Sequence, residues 1–512
     1  MNMKLHYYLY MILSITLLTG FKTESRPQNI SQSDPIEELI HQGRMQMLAF
    51  KLPLAERTFQ QVIRNNKGAL QNAKGHYYLS MISLWKASFE GSEASFERFY
   101  AQNRQFSDEL RFVQDIKWRR FFMGEAAFQK IIILAQQQKL MDAALSAKDA
   151  YNLFKRNIEE FPDFYESYKG MGILRVAVGS LPRGYRNILN ILGYSGSIKQ
   201  GMADIELAAA KSEFIREEAQ VYWAFIDQNL NDSLANSNNI DRIKMVYEEN
   251  KESPFFSLVY GYMLMNKQQA DEAERVLLSN QSKQNNPEYY FPVTYHFYLG
   301  NIYFRQNRMK DAEEQFKRYL TEFKGSFMKA EASLKLGLSL ELQGRRNEAL
   351  PYFQSIQSVS AFDSDENARR QALIHIASAL DSTATKLLYA QNSYDAGHFD
   401  KALEVVVPLT TQEGLSNSYK AEAFYRTGRV LEWKQEYAKA IEYYQKSVDT
   451  PNDVLAKWGP WSLYYIGECY EMMGDKNNAR EAYRKTLANK EKFDYYQSLE
   501  QKSRTALERL RL

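Results

Sequence analysis

Two patterns of apolar residues run along this chain. In the first, residues 121–138 and 142–160 place apolar side chains three and four apart and predict a helical hairpin, with Phe161-Pro162 as the break before a helix over 164–174. The same spacing predicts helices over 201–211 and 217–229. The second pattern is a repeat: a small residue, Ala twelve positions later, and a bulky apolar residue four further on. It recurs as Gly43/Ala55/Phe59, Gly261/Ala273/Leu277, Gly300/Ala312/Phe316, Gly337/Ala349/Phe353, Ala390/Ala402/Val406, Gly428/Ala440/Tyr444 and Gly467/Ala479/Tyr483. A large side chain follows the Gly by three in several of these, at Tyr303, Leu340, Leu431 and Tyr470. A Gly or Ala on one helix and an Ala on the next let two antiparallel helices approach closely, while the flanking aromatics fill the space around the contact. Polar links over 306–310 and 474–477 join the helices, and Gly344 and Gly474 suit the left-handed conformation that ends one. Pro254, Pro292 and Pro460 stand seven or eight residues before the repeat Gly, at or just before a first helical turn.

These residues resemble the tetratricopeptide repeat family, whose motif has the same order of small, aromatic and Ala positions. The resemblance is clearest over 255–487 and appears once more over 36–63. Repeat positions 261, 300, 337, 390, 428 and 467 are 39, 37, 53, 38 and 39 apart, against a family period of about 34. Helices or loops are therefore longer than the minimum, and the widest interval holds an insertion around 355–367. One hairpin cannot bury its apolar face alone, so the resemblance implies an all-α solenoid of antiparallel helix hairpins stacked in a right-handed superhelix. The polar stretch 229–239 predicts a boundary between an N-terminal lobe, 25–230, and a C-terminal array, 241–512.

Composition narrows the class further. Gly (24) and Pro (12) make up about 7% of the 512 residues, against roughly 12% in average usage. With 14% aromatics, including 35 Tyr and 29 Phe, the chain folds and is poor in turns. Basic and acidic residues nearly balance at 65 and 62, leaving no general field for nucleic acid. A single cysteine, Cys469, rules out an intrachain disulfide and multi-Cys zinc sites. Near the N-terminus, Lys4 precedes an apolar run over 7–18 and then a polar stretch. This predicts a signal peptide over 1–24, with an N-terminal anchor as the competing reading, and an exported, envelope-associated or periplasmic bacterial protein. No cysteine lies near the predicted cut, so a lipoprotein anchor is not expected.

One segment departs from the repeats. From 167 to 203 there is no Asp or Glu, while Lys169, Arg175, Arg183, Arg186 and Lys199 are basic and Gly170, Gly172, Gly179, Gly184, Gly193, Gly196 and Gly201 accumulate. The bland reading is a connector that packs its Ile/Leu face onto the solenoid. The functional reading, resting on Arg175, Arg183, Arg186 and Lys199, is a surface for anionic lipid, acidic peptide or phosphate. Its Leu-Pro turn and Gly-Tyr-Ser-Gly step are loosely similar to a region of eukaryotic tetratricopeptide outer-membrane and lipid-droplet-associated proteins.

Catalytic signatures are lacking. There is no phosphate-binding loop, the six His show no metal spacing, and pairs such as Glu313-Glu314 and Glu159-Glu160 read as solvated helix surface. No cofactor and no metal are expected. In the family resembled, the first helix of each repeat lines the inner surface, which implies a groove here of Phe297, Asn301 and Arg305, then Tyr425, Arg429 and Trp433, then Tyr464 and Glu468. The expected function is a non-catalytic scaffold that holds a peptide or helix of a protein partner in this groove. A membrane-associated assembly factor using 167–203, and a helical enzyme acting on polysaccharide or cell wall, are the alternatives.

Overall fold

The computed structural model describes residues 34–65, 68–180, 194–230, 239–356, 363–451, 457–489, 493 and 495–510. Among them every regular element is helical, with 24 α-helices and two short 3-10 turns. The seven repeats correspond to seven hairpins: Pro35–Leu48 with Leu52–Asn65, Pro254–Asn266 with Ala270–Leu278, Thr294–Arg305 with Met309–Glu322, Lys329–Leu342 with Arg346–Gln354, Ser382–Ala396 with Phe399–Thr411, Asn417–Trp433 with Tyr437–Asp449, and Trp458–Met472 with Lys476–Ala488. Their starts carry the expected side chains. Asp34, Asp381, Ser416 and Asp475 each accept a hydrogen bond from a backbone N–H in the first turn, satisfying donors that the helix itself leaves unpaired. Gly344 and Gly474 end their helices at φ 77° and 82°. Pro254 is the first residue of its helix and Pro460 the third of its own.

Packing within a hairpin is more specific than the approach of two small residues. The Ala of every repeat is fully buried, but the Gly faces the bulky residue sixteen positions on. A Cβ on Gly337 would stand 2.4 Å from the Phe353 ring, one on Gly428 2.7 Å from Tyr444, and one on Gly467 2.6 Å from Tyr483. Each ring occupies the space a Cβ would need, which is why the position tolerates no side chain.

The N-terminal helices use the same contact over a longer reach. Ile116–Gln136 and Leu140–Glu160 are 21 residues each, and the ring of Phe154 meets Gly124 at 2.5 Å and Gly170, on helix Glu166–Gly179, at 2.3 Å. Gly124 and Phe154 are 30 residues apart. The extra fourteen residues over the sixteen-residue spacing add about two turns to each helix and keep the ring in register. Helices Ile198–Lys211 and Arg216–Leu230 follow. The insertion after the fourth hairpin is itself a helix, Asp363–Ala377.

The chain forms two compact units. One comprises the chain up to Met263 with Arg275–Tyr298 and Tyr319–Lys329, and the other comprises Leu264–Glu274, Leu299–Arg318 and Ala330 onward. The polar stretch 229–239 therefore does not separate them; its residues 231–238 lie outside the described residues, and the helix after it, Asn239–Glu249, belongs with the first unit.

Candidate functional site

In the second unit, Ser382–Ala396, Asn417–Trp433 and Trp458–Met472 are the first helices of successive hairpins, and together they enclose a cavity of about 250 Å³. Its residues share faces by helical spacing: Gln391, Tyr394 and Asp395 on the first helix, Tyr425, Arg426 and Arg429 on the second, Trp458, Trp461 and Tyr465 on the third. Tyr495, at φ 62° before the last helix, completes the wall. The rings brace one another. Tyr425 lies 5.1 Å from Trp458 and 6.0 Å from Tyr465, and Trp461 stacks on Tyr465 at 5.8 Å.

Both arginines of this wall sit over aromatic rings. The Arg429 guanidinium sits 3.7 Å from the Tyr465 ring centroid, with Nη1 donating to Glu432 at 2.7 Å and Nη2 to the Tyr394 hydroxyl at 2.7 Å. Arg426 lies 5.2 Å over Trp458; its Nε donates to Glu422 at 2.8 Å and its Nη2 to Gln391 at 2.9 Å. The Lys457 ammonium is 4.7 Å from the Trp458 ring. Burial works against the charge of Arg429, and Glu432 with the surrounding tyrosines more than restores it. The Glu432 carboxyl is itself pushed up to about 7, chiefly by burial, with Arg429 opposing the rise and Glu468 adding to it.

Of the residues expected to line a groove, Tyr425 and Arg429 stand in this cavity. The others do not. Phe297 is buried and packs on Tyr319 at 5.4 Å. Asn301 is buried and accepts a hydrogen bond from Lys335. Arg305 donates to the Met265 carbonyl at 2.6 Å. Trp433 stacks on Phe399 at 5.9 Å, and Tyr464 is core, its hydroxyl donating to Glu468 at 2.7 Å. Conversely, Gln391, Tyr394 and Asp395 stand one, four and five positions after Ala390, and two of these offsets are those at which Asn301 and Arg305 follow Gly300. Applying those two to the repeat whose small residue is Ala instead of Gly would have found Gln391 and Asp395. Trp458 and Trp461 lie two turns before Gly467, beyond the reach of that rule.

Residues 419–492, 261–327 and 331–359 match three family models, each described as tetratricopeptide repeat. These three stretches are tetratricopeptide repeats. The cavity is built almost wholly from the span of the first match and the repeat just before it. No curated protein matches the chain in sequence. Among solved structures, the human IFIT1 dimer with PPP-AAAA is 14% identical and aligns with 88% of this chain and 99% of that one at a TM-score of 0.31. Yeast Tom70 is 11% identical over 86% and 97% at 0.31, and the APC/C hetero-tetramer Cut9-Hcn1 is 12% identical over 90% and 88% at 0.27.

In the first unit, the basic Gly-rich segment resolves into packing. Lys169 is fully buried, its Nζ donating to Glu125 at 2.9 Å and Glu218 at 2.7 Å, and these two carboxylates hold it charged against the cost of burial. Arg175 pairs with Asp204 at 2.6 Å. The acids are absent from the segment itself because they stand on the helices packed against it. Its glycines let helices touch backbone to backbone: a Cβ on Gly201 would meet the Gly172 carbonyl at 2.4 Å, and one on Gly196 the Cα of Arg175 at 2.7 Å. Lys199 is exposed, while Arg183 and Arg186 lie outside the described residues, as does the predicted signal peptide.

Proposed function

We propose that this protein is an exported, non-catalytic scaffold that holds a segment of a partner protein in the cavity between its fifth, sixth and seventh hairpins. What carries the reading is the convergence of five aromatic rings from three adjacent first helices, and of Tyr495, on two arginines of the middle helix that sit over rings. Trp, Tyr and Arg dominate binding hot spots because they combine large buried area with directed donors, and here they are already immobilised, which lowers the entropy lost on binding. A polysaccharide-cleaving site needs facing carboxylates, and this cavity wall offers one, Asp395. The membrane reading of 167–203 is weakened by the pairing of Lys169 and Arg175 with acids.

The test is photo-crosslinking in the source cells, with a photoreactive residue replacing either Trp461 in the cavity or the exposed Lys485 on the helix behind it. A defined partner segment joined only from position 461 is the expected product. Equal products from both positions, or none from 461, would remove the assignment. Recovery of the exported protein with an intact N-terminus would overturn the cleaved signal peptide.

A further inference from the structure

The cavity's charge and donor geometry say more about its occupant. Its wall holds three cations, Arg426, Arg429 and Lys457, against the single carboxylate of Asp395. Glu422 and Glu432, which pair with the two arginines, do not line it. Arg426 and Arg429 are neighbours three apart on one helix, an arrangement in which like charges repel, and each is fixed by its own acid and its own ring. Neither guanidinium is exhausted. Among the described residues nothing accepts from Arg426 Nη1 or Arg429 Nε. A guanidinium stacked on a ring and tied at one edge is pre-organised to present its other edge to a planar anion. The remaining wall is aromatic and aliphatic apart from Gln391, six rings with Ala390, Ala402, Val406 and Val430, and the volume of about 250 Å³ is too much for a lone ion and enough for a small group of side chains.

We propose that the cavity selects acidic partner segments: a carboxylate side chain of the bound peptide is taken by Arg426 and Arg429, while an apolar side chain next to it packs on the Trp and Tyr wall. Carboxylate geometry matches the guanidinium edges, and the aromatic share of the wall calls for an apolar neighbour that a free anion lacks. Asp395 works against the carboxylate, since it makes no hydrogen bond or ion pair among the described residues. This inference rests on the peptide-binding reading above.

The experiment pans the full chain against a displayed library of short random segments with no free terminus. The best segment is then measured as a blocked synthetic peptide by fluorescence anisotropy. Retained sequences should be enriched in Asp or Glu beside Phe, Leu or Ile. Replacing the key Glu of the peptide by Gln, or making Arg426→Gln in the protein, should each weaken binding about tenfold. Arg426→Lys, which keeps the charge and loses the fork, should weaken it less, and Asp395→Asn should strengthen it. Each variant's melting transition is compared with wild type, and Asp395→Asn, which breaks no pairing, keeps the test open if an arginine variant misfolds. Enrichment of neutral or basic segments that is lost with Trp461→Ala would overturn the acidic preference and leave the peptide cavity standing. No enrichment, or enrichment unchanged by Trp461→Ala, would overturn both. Binding by a phosphoserine peptide where the Glu peptide fails would overturn the carboxylate in favour of phosphate.

Discussion

A ring on a glycine is the smallest unit of this protein's architecture. At Gly170 the Phe154 ring leaves 2.3 Å for a Cβ, and that ring is fully buried with Gly124 on its other side, so it cannot retreat. Gly170→Ala should therefore cost about 1–3 kcal/mol in urea unfolding, the range for overpacking a closed core. Gly344 differs, since nothing stands within 4 Å of its Cβ position and its requirement is only φ of +77°. Titration supplies a second residue-scale prediction. The Glu432 carboxyl is held near 7 by burial, whereas in the unfolded chain it ionises near its ordinary value of about 4.3. Because the folded state then binds the extra proton, the stability this group contributes is fullest below about pH 4.3 and falls as pH rises toward 7. Glu432→Gln should flatten that fall in urea midpoints measured across pH 4.5–8, and an unchanged slope would refute the assignment. The small, Ala and aromatic positions were legible because hairpins of nearly constant length repeat them. The Gly124–Phe154 pair was hidden by helices two turns longer.

At the scale of elements, four helices of the first unit meet at one buried charge. Lys169 from Glu166–Gly179 reaches Glu125 on Ile116–Gln136 and Glu218 on Arg216–Leu230, and Tyr77 on Ala69–Glu90 donates to Glu218 at 2.8 Å. Lys169→Met would strand two carboxylates in the core and should cost about 3–5 kcal/mol. The triple variant Glu125→Gln/Lys169→Met/Glu218→Gln should recover part of that loss, because the cost is mainly that of unpaired charge and not of a missing bond. A triple variant no more stable than the single one would refute this. Helix positions were readable from apolar spacing and from the Pro, Gly and capping residues at their ends. The pairing of Lys169 was not, since its partners lie 44 and 49 residues away and no local pattern links them.

For the molecule as a whole, stacking makes each hairpin depend on its neighbour. The last helix, Tyr496–Arg509, covers the seventh hairpin through Leu499, Ala506 and Leu510, packed with Tyr464 and Tyr483. Ending the chain after Ala488 should therefore expose that cluster and raise amide exchange across 458–488, while amides of the first unit around Tyr77 and Phe122 keep their protection. Equal loss in both regions would mean that the chain unfolds as one block.

The sequence by itself determined that this is an all-helical repeat protein, where most helices begin and end, and which small, Ala and bulky positions recur in each hairpin. These features are local, carried by helical periodicity and fixed spacing. The proposed binding surface was decided only by tertiary structure. Arg429 and Tyr425 were visible as candidates, but the cavity exists because three first helices bring Tyr394, Arg426 and Trp461 together from positions up to 67 residues apart. Exposure of Phe297 and Asn301 likewise depended on neighbours that bury them. In the basic run at 167–203, Lys169 and Arg175 stay charged but are taken up by acids on packed helices, so they form no open basic surface.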